Sequence, residues 1–132
     1  MIKDDIIVVD ENDNIIGSKP RDLVDKEGLI YRVSGLWITN SKGSILLAKR
    51  AFTKKHYPGR WGPAVAGTVD EGESYEDNII KEAKEELGLI DTPLKKTVKI
   101  QVNGEYNHFT QWFKAIVDKP AEFFKIQKEE VI

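Results

Sequence analysis

The chain has 132 residues, 32% of them charged and 40% hydrophobic, with no cysteine and a net charge of −2. That length suits one domain that buries a core without covalent staples, and the missing cysteine excludes a disulfide scaffold, thiolate metal sites and a cysteine nucleophile. The near-neutral balance argues against a dedicated nucleic-acid binder, no apolar run approaches the roughly 20 residues of a spanning helix, and the polar start is no signal peptide; a cytoplasmic protein with no membrane or stable nucleic-acid partner is the expectation.

In chain order, Asp5–Val9 and Asn14–Gly17 flank the polar run Asp10–Asp13, which predicts a hairpin. Pro20–Glu27 predicts a short helix, with Pro20 tolerated in the first turn and Gly28 after the end. Tyr31–Thr39 and Ser44–Arg50 are apolar-rich runs around Asn40-Ser41-Lys42-Gly43, a second strand–turn–strand signal. Ala51–Arg60 reads as a basic loop broken by Pro58-Gly59. Trp61–Val69 is short, partly β-branched and bounded by Gly and Pro, which predicts an irregular strand. Tyr75–Leu87 is the clearest helix: Ser74 caps it, Asp77 approximates a capping box, and Gly88 closes it. Lys95–Val102 and His108–Val117 flank Asn103-Gly104, a strong turn signal. After Pro120 come an apolar patch, Phe123-Phe124, and the acidic Glu129-Glu130. One long helix among many strands predicts an α+β or layered α/β fold with a mixed sheet.

The charge total hides an uneven distribution. Lys42 to Arg60 contains six Lys/Arg and no Asp/Glu, whereas Asp70 to Glu86 contains eight Asp/Glu and two Lys. Charge runs are usually solvated faces. A site that holds a cation with the acids and an anion with the bases is the sharper reading, and spacing decides between them.

A helix turns about 100° per residue. Ile79, Ile80, Ala83 and Leu87 then share a core face, while Glu82, Glu85 and Glu86 occupy a neighbouring one. Like charges at i,i+4 cost a few tenths of a kcal/mol. Lys81 and Lys84 offset this if the face is merely solvated; a hard divalent ion, which takes oxygen ligands, is the other answer.

The flanks of that helix favour the ion. Gly67, Glu73, Glu82, Glu85, Glu86, Gly88 and Leu89 match, in type and spacing, the pattern G-x5-E-x7-R-E-U-x-E-E-x-G-U, with U a bulky apolar residue. This closely resembles the Nudix box. Ala83 is smaller than the usual U, and Lys81 stands where the family has Arg. Arg forks onto carboxylates in a bidentate pair, whereas Lys is a point charge on a flexible stem. Lys81 is therefore expected to neutralise Glu73 or Glu85 less rigidly. The run from Tyr31 to Leu89, with Leu47–Arg50, Lys54, Lys55 and Tyr57–Trp61, resembles the Nudix branch near type 1 isopentenyl diphosphate isomerase.

The resemblance implies an α/β/α sandwich with a mixed sheet, the box helix being one of its flanking helices. It also implies a hydrolase for a nucleoside diphosphate linked to another moiety, using Mg²⁺ or Mn²⁺. By that resemblance Glu82, Glu85 and Glu86 supply ligand oxygens, helped by the backbone carbonyl of Ala66. Glu82, Glu85 or a carboxylate outside the box, such as Glu105 or Glu130, activates the water. Gly67, Glu73, Lys81 and Gly88 support the box.

Arg50, Lys49 and Arg60 are candidates for the phosphates, with Lys54 and Lys55 on the same loop, since Arg suits a bidentate grip and Lys a point contact. His108 is a candidate pocket residue beside Tyr106 and Trp112, Trp37 and Trp61 are candidate stacking surfaces that core packing explains more readily, and His56 reads as a loop residue. Two other functions compete: a nucleotide-binding module with weak catalysis, and the isomerase itself. The isomerase pattern departs here, with Ala66 and Thr68 in its Cys and His places, Tyr31 for another His, and Tyr106 and His108 for two Glu. The family continues beyond the 128–131 segment into a further strand and helix, so either the chain is shortened or a partner supplies that layer, and an uncovered sheet face with reduced stability or a homodimer is the expectation.

Overall fold

In the computed structural model the described residues are 5–50, 52, 59–120 and 123, with the Lys49 side chain excepted. Ile6–Val9 (β1) is apolar and buried at every position, the pattern of a strand covered on both faces. Ile7 and Val9 join a large core cluster, whereas Ile6 and Val8 join a smaller one. Successive strand side chains point to opposite faces, so the two cores lie on opposite sides of one sheet.

Ile15–Lys19 (β2) pairs antiparallel with β1. In the turn between them the Asp10 carboxylate accepts the backbone N–H groups of Asn12 and Asn14 at 2.8 and 3.0 Å. Arg21–Glu27 (α1) starts directly after Pro20 and ends at Gly28, whose φ of 66° needs no Cβ. Its Val24 is fully buried in the smaller core against Tyr31.

Ile30–Thr39 (β3) is the spine. Along one edge it runs parallel to Asn107–Ile116 (β9) over its full length. Along the other it meets, in succession and all antiparallel, β1, Val65–Thr68 (β7) and Ile45–Leu46 (β4). Lys95–Val102 (β8) pairs antiparallel with β9, giving the path β2-β1-β3-β9-β8. Among the described residues β3–β9 is the one parallel pair, so the sheet is mixed. Ala48–Lys49 (β5) and Trp61–Gly62 (β6) form a separate two-stranded ribbon.

The expected Ser44–Arg50 strand therefore breaks at Leu47, where the chain changes partner from β3 to β6. Trp61–Val69 breaks similarly at Pro63, which has no N–H to give a ladder.

Tyr75–Leu87 (α2) has the predicted bounds and cap. Ser74 Oγ accepts the Asp77 N–H at 3.0 Å, and the Asp77 carboxylate accepts the Ser74 N–H at 3.2 Å. Ile79, Ala83 and Leu87 enter the large core. Ile80 corrects the expected core face: it is 59% exposed, just past the edge of the buried arc, while Asn78 and Glu86 on the other flank are buried. With α1 on one face and α2 on the other, the expected α/β/α arrangement holds. Val98, Ile100 and Ile116 stand exposed on β8 and β9. Residues 124–132, on which the expectation about the C-terminal layer falls, lie outside the described residues. Among the described residues no helix is long and apolar enough to cross a membrane.

A polar knot ties these elements together beneath α2. Asp13, with φ 63° and 8% exposed, accepts hydrogen bonds from Arg32 Nε at 2.8 Å, Lys99 Nζ at 2.6 Å and Tyr75 Oη at 2.9 Å. The Arg32 guanidinium also donates to the Asp13 carbonyl at 2.8 Å and lies 4.9 Å over the Tyr75 ring. Burial alone would push the Asp13 carboxyl up; the hydrogen bonds from Lys99, Arg32 and Tyr75 outweigh it and hold the group below the usual carboxylate range. A depressed folded pKa means the stabilisation is fully present above the unfolded value of about 3.9 and is lost as pH falls through the folded value. Asp13→Asn is expected to cost about 1–3 kcal/mol at neutral pH. Urea unfolding should show the gap from wild type narrowing below about pH 4.

Candidate active site

The box begins where β7 passes under α2. Gly67 lies opposite Ser34 of β3, and a Cβ on it would fall 2.5 Å from Glu82 Cγ and 2.8 Å from Asn78 Oδ1. Only glycine lets strand and helix approach this closely. Ser34 is the matching small residue on β3, and its hydroxyl donates to the Tyr75 carbonyl at 2.8 Å. The seam brings together Gly67, Asn78 and Glu82, with Ala66 adjoining on β7 opposite Gly35.

A clip closes the turn between β7 and α2. The Glu73 carboxylate accepts the Asp70 N–H at 2.9 Å, Asn78 Nδ2 at 3.1 Å and the Lys81 ammonium at 2.6 Å. Asn78 Nδ2 also donates to the Thr68 carbonyl at 3.0 Å. Lys81 further reaches Asp70 at 3.3 Å and Glu82 at 3.9 Å. Burial pushes the Glu73 carboxyl up, but hydrogen bonds from Lys81, Asp70 and Asn78 outweigh that and hold it low. Burial likewise opposes the Lys81 charge, and Glu73 and Asp70 outweigh it, so its pKa lies above the ordinary lysine value. Gly88 closes α2 with φ 69°, its N–H directed at Ala83 and Lys84 carbonyls. Gly67, Glu73 and Lys81 thus lie around the β7–α2 turn, with Gly88 at the far end of the helix, and of the two carboxylates expected for Lys81 it is Glu73 that it meets, with Asp70 as a second partner.

The three candidate ligand carboxylates differ in depth. Glu86 is 5% exposed, within the arc of α2 that packs on the sheet. Glu82 is half-buried against the Gly67 backbone, and Glu85 is exposed at the edge. Among the described residues no three Asp, Glu or His side chains already form a closed metal-holding group. The donors nonetheless fit Mg²⁺ or Mn²⁺: all are oxygens, one sits in a cradle that a Cβ at Gly67 would fill, and Mg²⁺ characteristically binds through one or two carboxylates, waters and substrate phosphates rather than a protein cage.

The phosphate candidates divide. Arg50 donates its N–H to the Arg60 carbonyl at 2.8 Å, so the β5–β6 register continues and sets the two arginines opposite each other at the mouth of the loop. Lys49 precedes them on β5, with its side chain outside the described residues. Lys54, Lys55, His56 and Glu130 also lie outside them. Glu105 is exposed in the β8–β9 turn. His108 is buried on the sheet face opposite α2, in register with Tyr31, and its Nδ1 shares a 2.9 Å hydrogen bond with Thr110 Oγ1. It does not approach the box helix. Trp37 stacks on Trp112 on that far face, with centroids 5.4 Å apart. Trp61 is exposed on β6.

Residues 29–130 match the NUDIX domain family model. The chain belongs to the Nudix family. It is 35% identical over 126 residues to an uncharacterized Nudix hydrolase, PA4841, of Pseudomonas aeruginosa, covering 93% of this chain and 72% of that protein. It is 38% identical over 91 residues to isopentenyl-diphosphate Delta-isomerase 2 of Photorhabdus laumondii, covering 69% of this chain and 51% of that one. Among solved structures, DR0079 of Deinococcus radiodurans superposes with a TM-score of 0.81 at 20% identity, covering 97% of this chain and 79% of that one. The MutT protein of Methanosarcina mazei does so at 0.66 and 22%, covering 78% and 72%. These two likenesses establish the Nudix fold.

Two Nudix-box partners escaped sequence reading. Asn78 is polar at a core-facing position one turn before Glu82, a spacing that signals a buried role. Asp70 lies among the unspecified box positions, and nothing local marks it. Gly67→Ala is expected to destabilise the Nudix fold by about 1–3 kcal/mol through overpacking, read as a lower urea midpoint with an unchanged slope.

Proposed function

We propose that this chain is a divalent-cation-dependent pyrophosphohydrolase acting on the diphosphate linkage of a nucleoside diphosphate derivative. The β7–α2 seam carries the reading: it holds Glu82 against a bare backbone and Glu86 beneath it, while the Lys81 clip fixes the turn alongside. Glu82, Glu85, Glu86 and the Ala66 carbonyl would hold the cation. When bound, Mg²⁺ or Mn²⁺ neutralises phosphate oxygens and acidifies a water at the site.

In the reaction the water oxygen bonds to one phosphorus, the bridging P–O bond breaks, and the departing phosphate keeps the electron pair. Glu82 or Glu85 accepts the proton the water gives up. Arg50 and Arg60, opposite each other at the loop mouth, grip the remaining oxygens. The organic moiety would extend from β7 towards the opposite sheet face, where His108, Trp37 and Trp112 lie. The substrate is thus a small molecule held around one strand.

A panel of nucleoside diphosphate derivatives assayed for phosphate or monophosphate release with Mg²⁺ or Mn²⁺ tests this. Turnover should vanish with a chelator and fall about 10²-fold or more in Glu86→Gln or Glu82→Gln. Wild-type rates equal to those of Glu86→Gln on every compound would sink the proposal. Conversion of isopentenyl to dimethylallyl diphosphate without phosphate release would replace it with the isomerase, and calorimetric binding without turnover would replace it with a binding module.

A further inference from the structure

Lys81 carries one charged nitrogen on a four-carbon stem, so a single carboxylate partner leaves it free to swing. In this structure it has two partners from the turn before α2, Glu73 at 2.6 Å and Asp70 at 3.3 Å, and it reaches Glu82 at 3.9 Å. Those two partners are themselves joined in both directions. The Asp70 N–H donates to the Glu73 carboxylate at 2.9 Å, and the Glu73 N–H donates to the Asp70 carbonyl at 3.0 Å. Asp70 is in turn bridged to Ile6 of β1. The Asp70 backbone is therefore tied to the sheet, whereas Glu82 is carried by the helix.

An arginine at position 81 would grip one carboxylate with two parallel N–H donors and fix its own plane. A lysine gains equivalent constraint only from a second carboxylate elsewhere. We propose that Asp70 is a positioning residue that supplies this second point: with Glu73 it pins the Lys81 ammonium beside Glu82 and so sets the Glu82 carboxylate for the divalent cation. The inference rests on the cation-dependent reading above. It explains how a box with lysine in this place keeps a fixed geometry, and it assigns a role to an acid that the box pattern leaves unspecified.

Manganese binding without substrate tests it, with free Mn²⁺ followed by electron paramagnetic resonance for wild type, Asp70→Asn, Lys81→Arg and the double variant. Melting temperatures are recorded for all four. Asp70→Asn should weaken Mn²⁺ binding about 10-fold in the lysine background. In the Lys81→Arg background the same change should cost less than about 3-fold, because the fork no longer needs Asp70. Equal losses in both backgrounds would overturn the proposal, since Asp70 would then act independently of Lys81; so would wild-type affinity in Asp70→Asn. If Asp70→Asn melts below the assay temperature, the double variant decides. A folded double variant that binds like Lys81→Arg supports the inference, and one that fails equally overturns it. Wild type without Mn²⁺ affinity in the absence of substrate would overturn this inference and leave the cation-dependent function to the chelator test on turnover, and wild-type binding with unchanged Asp70→Asn would likewise remove this inference alone.

Discussion

The contact between β7 and α2 at Gly67 is the constraint on which the remaining geometry depends. A methyl group there would land on the Glu82 stem and on Asn78, so any other residue forces those side chains or the helix to shift. With glycine the helix settles low enough for Ile79, Ala83 and Leu87 to fill the core, and for Asn78 to reach the Thr68 carbonyl and the Glu73 carboxylate. The same approach turns Glu82 and Glu86 towards the strand. An acidic helix whose carboxylates faced water would cost little, but one that lays carboxylates in its packed arc costs desolvation and needs a compensating charge.

The acids between Asp70 and Glu86 separate into groups once their partners are seen. Asp77 completes the cap, and Glu76 sits in the first turn where the helix dipole favours it, 3.7 Å from Lys96. Glu71 accepts the Ser18 hydroxyl at 2.9 Å. Glu73 and Asp70 share Lys81. These have architectural roles. Glu82, Glu85 and Glu86 lie one helical turn or less apart on α2 at graded depth, with Glu82 3.9 Å from Lys81. The eight acids therefore do not form one face.

What the sequence made legible was local. The hairpin, the bounds of α2, its capping box and the glycine after it all depend on residues a few positions apart. The box itself is a spacing pattern and is equally local. Three features were hidden because they join distant segments. Leu47 ends a strand where the chain changes partner, which no local signal announces. Ile80 has core-face spacing on the wheel but falls past the edge of the arc that the sheet covers. Asp13, in the first hairpin, meets Arg32, Tyr75 and Lys99 only after four elements have packed. His108 shows the same limit: its type makes it a pocket candidate, but the parallel register with β3 decides which face it takes, and that face is away from α2.

The segregation of charge follows from the same layout. The run 61–69 carries no charge and links the arginine pair to the acidic turn, so the basic and acidic segments meet across β6 and β7. Within the ribbon, Arg50 opposite Arg60 is a like-charge cross-strand pair, which is unfavourable by itself. Within α2, Glu82 and Glu86 are a like-charge i,i+4 pair, also unfavourable. On the proposed reading one ligand would relieve both costs together: a cation held by the acids and a diphosphate held by that cation and the arginines. On that reading the near-cancellation behind the net charge of −2 comes from two oppositely charged segments that a single ligand would bridge.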